Sequence, residues 1–317
     1  MSSTYCYDDE IVPVLPHVPV LDLGNIPAAR QLLSDLTDWL LKYQPSPGVQ
    51  LTEHIAPGLD GAPDVALFVL APAVETEANR PALLWFHGGG FVLGDARESL
   101  PFLERVVKDT GTVAVSVQYR LAPETVFPGP VDDGRAALDW LVEHAPGLHI
   151  DVGKIAVGGQ SAGGALAAGL ALQVRDEHGP KLAFQLLDIP VIDDRNVTVS
   201  AQSFVDTPVW NHRNAELSWK AYLGECNDTV SPYAAPGRAE SLAGLPPTFI
   251  TVNQYDPLRD EGIDYARRLA QANVRTELHL YPGTFHGSSG IALGAAVSIR
   301  QDADLRRAIG RAFGINH

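Results

Sequence analysis

Short apolar runs rich in β-branched and aromatic residues alternate along this chain with stretches of helical periodicity. That alternation restricts the fold more than any other feature. Residues 49–56, 64–71, 82–87, 112–118, 154–159, 182–189, 247–253 and 275–281 read as eight strands. Residues 97–109, 131–144, 162–176, 261–272 and 291–313 show the helical spacing of apolar residues. Strands that alternate with helices imply right-handed crossovers and a mostly parallel sheet covered by helices on both faces, an α/β architecture. The first two strands are separated only by turn residues, Pro57-Gly58 and Gly61 to Pro63. They read as a hairpin that adds antiparallel strands at one edge.

Two segments fall outside the rhythm. The first stretch, to Pro27, is Pro-rich and reads as an extended arm, followed by a helix over 28–43 with Leu32, Leu33, Leu36, Trp39, Leu40 and Tyr43 on one face. The second lies between the sixth and seventh strands, where nearly sixty residues separate Pro190 from Pro247. A connection that long inside a compact domain is usually functional. It carries Phe204, Trp210, Trp219 and Tyr222 and a helical pattern over 211–223. The expected organisation is a cap built from 1–45 and 191–240 on a catalytic core formed by 46–190 and 241–317.

Charge excludes some partners. Lys and Arg number 23 against 38 Asp and Glu, a formal net charge of −15. Phosphate backbones and anionic lipid surfaces are bound by clustered cations, so nucleic acid and membrane surfaces are not expected partners. No apolar run reaches the roughly 18 residues of a membrane span, and the acidic start of the chain lacks the pattern of a signal peptide. The two cysteines, Cys6 and Cys226, fit a reducing compartment. These features predict a soluble cytoplasmic protein. Without a secretion signal the sequons at Asn196 and Asn227 carry no weight.

The chemistry starts at Gly159-Gln160-Ser161-Ala162-Gly163, a G-x-S-x-G pattern between an apolar strand and an Ala-rich helix. A nucleophile elbow sits at such a turn, and small neighbours are needed because the turn is tight and strained. His87-Gly88-Gly89-Gly90 follows the third strand. Its bare backbone N–H groups suit an oxyanion hole, with Gly89, Gly90 and Ala162 as the expected donors and Gly88 as the alternative. A serine needs a base. Among ten histidines, His286 lies just after the last strand, on the same sheet edge as Ser161. Asp256 follows the seventh strand and falls between the two in sequence, as the orienting acid should. Asp260 is the rival acid, and an N-cap role accounts for it. No G-x-G-x-x-G follows an early strand, and neither G-x-x-x-x-G-K-[ST] nor H-E-x-x-H occurs.

With these motifs together the chain resembles the bacterial hormone-sensitive-lipase-like esterases of the α/β-hydrolase superfamily. The resemblance runs from about Leu83 to Gly287. It rests on His87 to Gly94, Tyr119 to Glu124 with Phe127-Pro128 and Asp133, Gly159 to Gly164, and Asp256 to Glu261. It implies an eight-stranded α/β-hydrolase sheet with an α-helical cap, and hydrolysis of carboxylic esters by a Ser161–His286–Asp256 triad. It also implies structural roles for Arg120, Glu124 and Asp133 as buried polar partners. Two positions depart from the family pattern. Gln160 precedes the nucleophile where a small polar residue is usual, and Gly287 is followed by Ser288-Ser289-Gly290 instead of an aromatic.

Such a reaction needs no metal or organic cofactor. Phe91, Phe204, Val209, Trp210, Trp219, Tyr222 and Phe285 are the candidates for an apolar pocket between sheet edge and cap. Ordinary packing accounts for any one of them, and the group suggests a bounded pocket for short- to medium-chain or aryl esters. The same triad serves lactones and amides. A binding protein on this fold need not keep its base, and His286 stands in its motif. The last strand and the helix after it are the expected surface for a homodimer.

Overall fold

The computed structural model describes residues 5–74, 78–225 and 229–315. Cys226 and Asn227 lie outside the described residues. Eight strands form one sheet: β1 Val49–Ala56, β2 Val65–Pro72, β3 Arg80–Phe86, β4 Val113–Gln118, β5 Ile150–Gln160, β6 Phe184–Asp188, β7 Thr248–Tyr255 and β8 Thr276–Phe285. Their spatial order is β1-β2-β4-β3-β5-β6-β7-β8. The β1–β2 and β2–β4 pairs are antiparallel, and every pair from β4 to β8 is parallel.

Alternation along the strands sorts the core into two faces. Leu83 and Trp85 of β3 pack with Leu100 and Leu103 of α2 (Leu100–Thr110) and with Leu305 and Ile309 of the C-terminal helix. Ala82, Leu84 and Phe86 pack on the other face with α3 (Gly129–His144) and α4 (Ala162–Asp176). A sheet buried on both sides needs apolar residues at successive positions, and Val113 to Val117 of β4 are all buried.

Several elements differ from expectation. The N-terminal arm is not extended. It contains a 3-10 turn, Val12–His17, and Ile11 is fully buried against Tyr281 and Phe285. The helix α1 covers Ile26–Thr37, and a 3-10 turn over Asp38–Lys42 completes the segment. Strand β8 runs past Pro282-Gly283 to Phe285, because a register shift against β7 absorbs the break. The final helix is divided into α8 (Ser288–Ile291) and α9 (Ala296–Ala312), a stretch in which Gly287, Gly290 and Gly294 weaken helix propensity. Glu124 is not buried. Its side chain is 63% exposed and pairs with Arg30 of α1. Asp133 is buried and receives the Arg120 backbone N–H at 2.7 Å and the Arg120 guanidinium.

The segment between β6 and β7 carries α5 (Val199–Ser203) and α6 (His212–Leu223). It packs on the N-terminal segment over the carboxyl ends of the strands. Asn214 of α6 accepts from Leu23 N and donates to Leu21 O. Among the described residues no helix is long and apolar enough to cross a membrane.

Candidate active site

Strand β5 ends at Gln160, and α4 begins at Ala162. Ser161 alone makes the turn, at φ 55° and ψ −117°. A non-glycine residue in that region is strained, and the strain holds only because the surroundings fix it. Ser161 N donates to Asp188 O at 2.8 Å, and Ser161 O accepts from Val191 N at 3.0 Å. A Cβ on Gly163 would lie 2.1 Å from Phe86 O, so this position requires glycine for the helix to approach β3. The helix start leaves the Ala162 N–H without an intrahelical partner.

The three side chains named from the sequence meet. His286 Nε2 lies 2.9 Å from Ser161 Oγ, and His286 Nδ1 lies 2.7 Å from Asp256 Oδ2. A carboxylate only accepts, so Nδ1 carries the proton and Nε2 is left to accept from the serine hydroxyl. All three residues are at most 5% exposed, which strengthens these bonds and keeps water from competing. Asp256 is held by Leu258 N, which donates to its Oδ1 at 3.0 Å. Asn253 Nδ2 donates to Phe285 O at 2.7 Å and fixes the backbone before His286. Gln254 ties the two loops, because its Oε1 accepts from Gly283 N at 2.7 Å and its carbonyl accepts from Arg259.

Asp260 has a different place from the one expected. Leu258 is the N-cap of α7 (Arg259–Gln271), and Asp260 is the second residue of that helix. Its Oδ2 accepts from Ser200 N at 2.8 Å, and its N–H donates to Ser200 Oγ at 3.0 Å. It therefore anchors α5 beside the Asp256 loop.

The glycine loop lies against the elbow. A Cβ on Gly88 would sit 3.6 Å from Ser161 Cβ. Neither Gly89 nor Gly90 donates its N–H to another group among the described residues. The loop is braced from below by Tyr119, whose hydroxyl donates to His87 O at 2.9 Å and whose ring stacks on His87. Burial holds the His87 imidazole down at about 4, so that histidine is neutral. From above, Ser218 Oγ of α6 donates to Gly90 O at 2.8 Å.

Gln160 donates to Asp188 Oδ2 at 2.9 Å. The other oxygen of Asp188 accepts from Thr251 Oγ1 at 2.5 Å and Gln301 Nε2 at 3.1 Å. Burial pushes the Asp188 carboxyl up, and these three donors oppose the shift. The long Gln160 side chain thus serves a buried carboxylate behind the elbow, a role that the sequence did not disclose.

A cavity of about 660 Å³ opens over Ser161. His286, Gly88, Gly89 and Gly90 line it, together with Val209 and Trp210 of the segment after β6. Phe91, Phe204, Trp219 and Phe285 do not. Phe91 stacks on Tyr222 with ring centroids 3.9 Å apart, and Trp219 packs against that pair. Phe204 and Phe285 pack with the tyrosines Tyr5 and Tyr7, respectively. Ring stacking among themselves consumes these aromatics, so the walls come from elsewhere: Leu21, Leu33 and Trp39 of the N-terminal segment, and Phe102, Ile299 and Leu305 between α2 and α9. Ser289 and Gly290 also line the cavity, where small residues after His286 leave it open.

A family model described as alpha/beta hydrolase fold matches residues 83–289. The chain belongs to the hormone-sensitive-lipase-like family of α/β-hydrolases. This hydrolase is 50% identical to a solved structure described as a bacterial heroin esterase, with a TM-score of 0.94 and coverage of 98% of this chain and 99% of the other. It is 38% identical over 291 residues to esterase LipI of Mycobacterium tuberculosis, covering 90% of this chain and 88% of that protein. It is 35% identical over 208 residues to an ethyl acetate hydrolase of Pseudomonas putida, covering 65% of each. The hydrolase shares its fold with proteins named for ester cleavage.

Proposed function

We propose that this carboxylic ester hydrolase works through an acyl-enzyme on Ser161 and acts on short- to medium-chain or aryl esters. The observation that carries the reading is the buried chain of hydrogen bonds from Ser161 through His286 to Asp256, in a cavity also lined by Gly89 and Gly90, whose N–H groups are unengaged among the described residues. Ser161 Oγ attacks the ester carbonyl while His286 Nε2 takes its proton. Asp256 holds the tautomer and stabilises the imidazolium. The N–H groups of Gly89, Gly90 and Ala162 receive the oxyanion, and loss of one such donor would raise the barrier by about 2.7–4 kcal/mol. The proton on His286 then passes to the leaving alcohol. Water, activated by the same imidazole, releases the acid.

The segments 1–45 and 191–240 serve as the cap in this scheme. Their packing over the strand ends gives the cavity its outer wall. A bounded cavity of about 660 Å³ suits compact esters. In a p-nitrophenyl ester series we expect turnover to peak between acetate and hexanoate and to fall steeply by dodecanoate. A fluorophosphonate should label Ser161. A maximum at palmitate, or no label, would overturn the reading.

The exposed edge of β8, with α9 beside it, is the surface through which we expect two copies to pair. Light scattering tests it, and a monomer mass at micromolar concentration would rule it out.

A further inference from the structure

One charged group on the cavity wall has no counter-ion. Glu98 lies in the 3-10 turn Ala96–Ser99 that follows the glycine loop, and it is half-buried. It lines the cavity over Ser161 and also a smaller one beside it, under α1 and the turn that carries Trp39. The other charged groups of the main cavity are engaged. Arg105 pairs with Asp302 at 2.7 Å, Asp188 is held by its three donors, and His286 belongs to Ser161 and Asp256. Arg97, next in sequence to Glu98, pairs with Asp95 at 3.3 Å instead. Among the described residues Glu98 has no ion-pair partner.

The Glu98 carboxyl is bonded by the Asp95 backbone N–H, but a half-buried carboxylate with no cation beside it is only partly compensated. Burial and the neighbouring Asp95 charge push its carboxyl up to about 7, and the Asp95 backbone N–H opposes the shift, so it is charged above that value. Trp39 is on the wall of the same cavity and is 58% exposed, which leaves an indole face open there. A carboxylate and an open indole on one wall are the elements that recognise an alkylammonium group, by charge and by the ring quadrupole.

We propose that Glu98, with Trp39, forms a subsite for the ammonium group of amine-bearing esters. The inference rests on the ester-hydrolase reading above and adds a substrate class to it. An anionic ester would meet repulsion at the same wall.

The test compares two esters of one shape: butyrylcholine, and its neutral isostere in which carbon replaces the ammonium nitrogen. The ratio of their kcat/KM values is measured within each enzyme, so the fraction folded cancels. At about pH 8, above the Glu98 value of about 7, we expect the native protein to favour the cationic ester at least tenfold, through KM. Glu98→Gln should bring the ratio to within about twofold of unity. An equal ratio in the two proteins would overturn the subsite and leave the esterase reading standing. Calorimetric titration of Ser161→Ala with each ester, with and without Glu98→Gln, reads the subsite without turnover. Tighter binding of the cationic ester that depends on Glu98 supports it even if neither ester is cleaved, and equal binding refutes it.

Discussion

Ser161→Ala is expected to abolish ester turnover, lowering kcat by about 10⁴–10⁶-fold while leaving the fold and ester binding intact. In the proposed mechanism the Ser161 hydroxyl attacks the ester carbonyl, and His286 Nε2, 2.9 Å away, takes its proton. Removing one oxygen leaves the Ser161 backbone bonds to Asp188 and Val191 in place and should cost little stability. The relevant control is the melting temperature, which we expect to stay the same or rise, because alanine keeps the Cβ and the backbone at φ 55° and removes only a buried hydroxyl. Residual activity from the oxyanion donors alone should remain above the uncatalysed rate. Full activity in the variant would place the nucleophile elsewhere. A large drop in melting temperature would show that Ser161 is structural.

Asp256→Asn should be the second most damaging change, with kcat at neutral pH about 10⁴-fold lower. The amide is nearly the same size, so packing in this fully buried place is kept. The hydrogen-bond code is not. An asparagine that donates to His286 Nδ1 puts the ring proton on Nε2, and the nitrogen facing Ser161 then donates where it should accept. The loss should ease in alkaline solution, where hydroxide can take the serine proton. A structural role would give a loss independent of pH. Because Leu258 N donates to Asp256 Oδ1 at 3.0 Å, rotation of the amide is restricted by the start of α7.

What could be read in the chain beforehand follows a physical division. Local geometry was legible. The elbow at 159–163 needs small residues because a Cβ on Gly159 would lie 2.2 Å from Gly163 O, and such requirements are written in single positions. Chain order and strand ends then sufficed to bring Asp256 and His286 to the same edge. Features set by side chains competing for one another were not legible. The composition shows aromatics in the inserted segment, but not that Phe91, Tyr222 and Trp219 prefer each other to a substrate. Trp39 shares a helical face with Leu33 in the sequence, yet the helix tightens into a 3-10 turn at Asp38 and leaves its indole exposed. Strand β8 was cut short at Pro282-Gly283 because those residues read as a turn, whereas a shift of register accommodates them. Glu124 shows how a motif can mislead about burial. Its neighbours Arg120 and Asp133 make the internal ion pair, while Glu124 reaches outward to Arg30.

The bond from Ser218 to Gly90 O links two properties that one would expect to be tuned separately. In the proposed mechanism the inserted segment shapes what enters, and the glycine loop sets how well negative charge is held. A single hydroxyl, 128 residues away in sequence, makes the position of one depend on the other. The lid is therefore not an interchangeable module. Grafting one from a relative to admit a bulkier alcohol would also shift the charge-holding loop, unless the donor brings a serine to the same spot. Selectivity and catalytic power in this scaffold are inherited together.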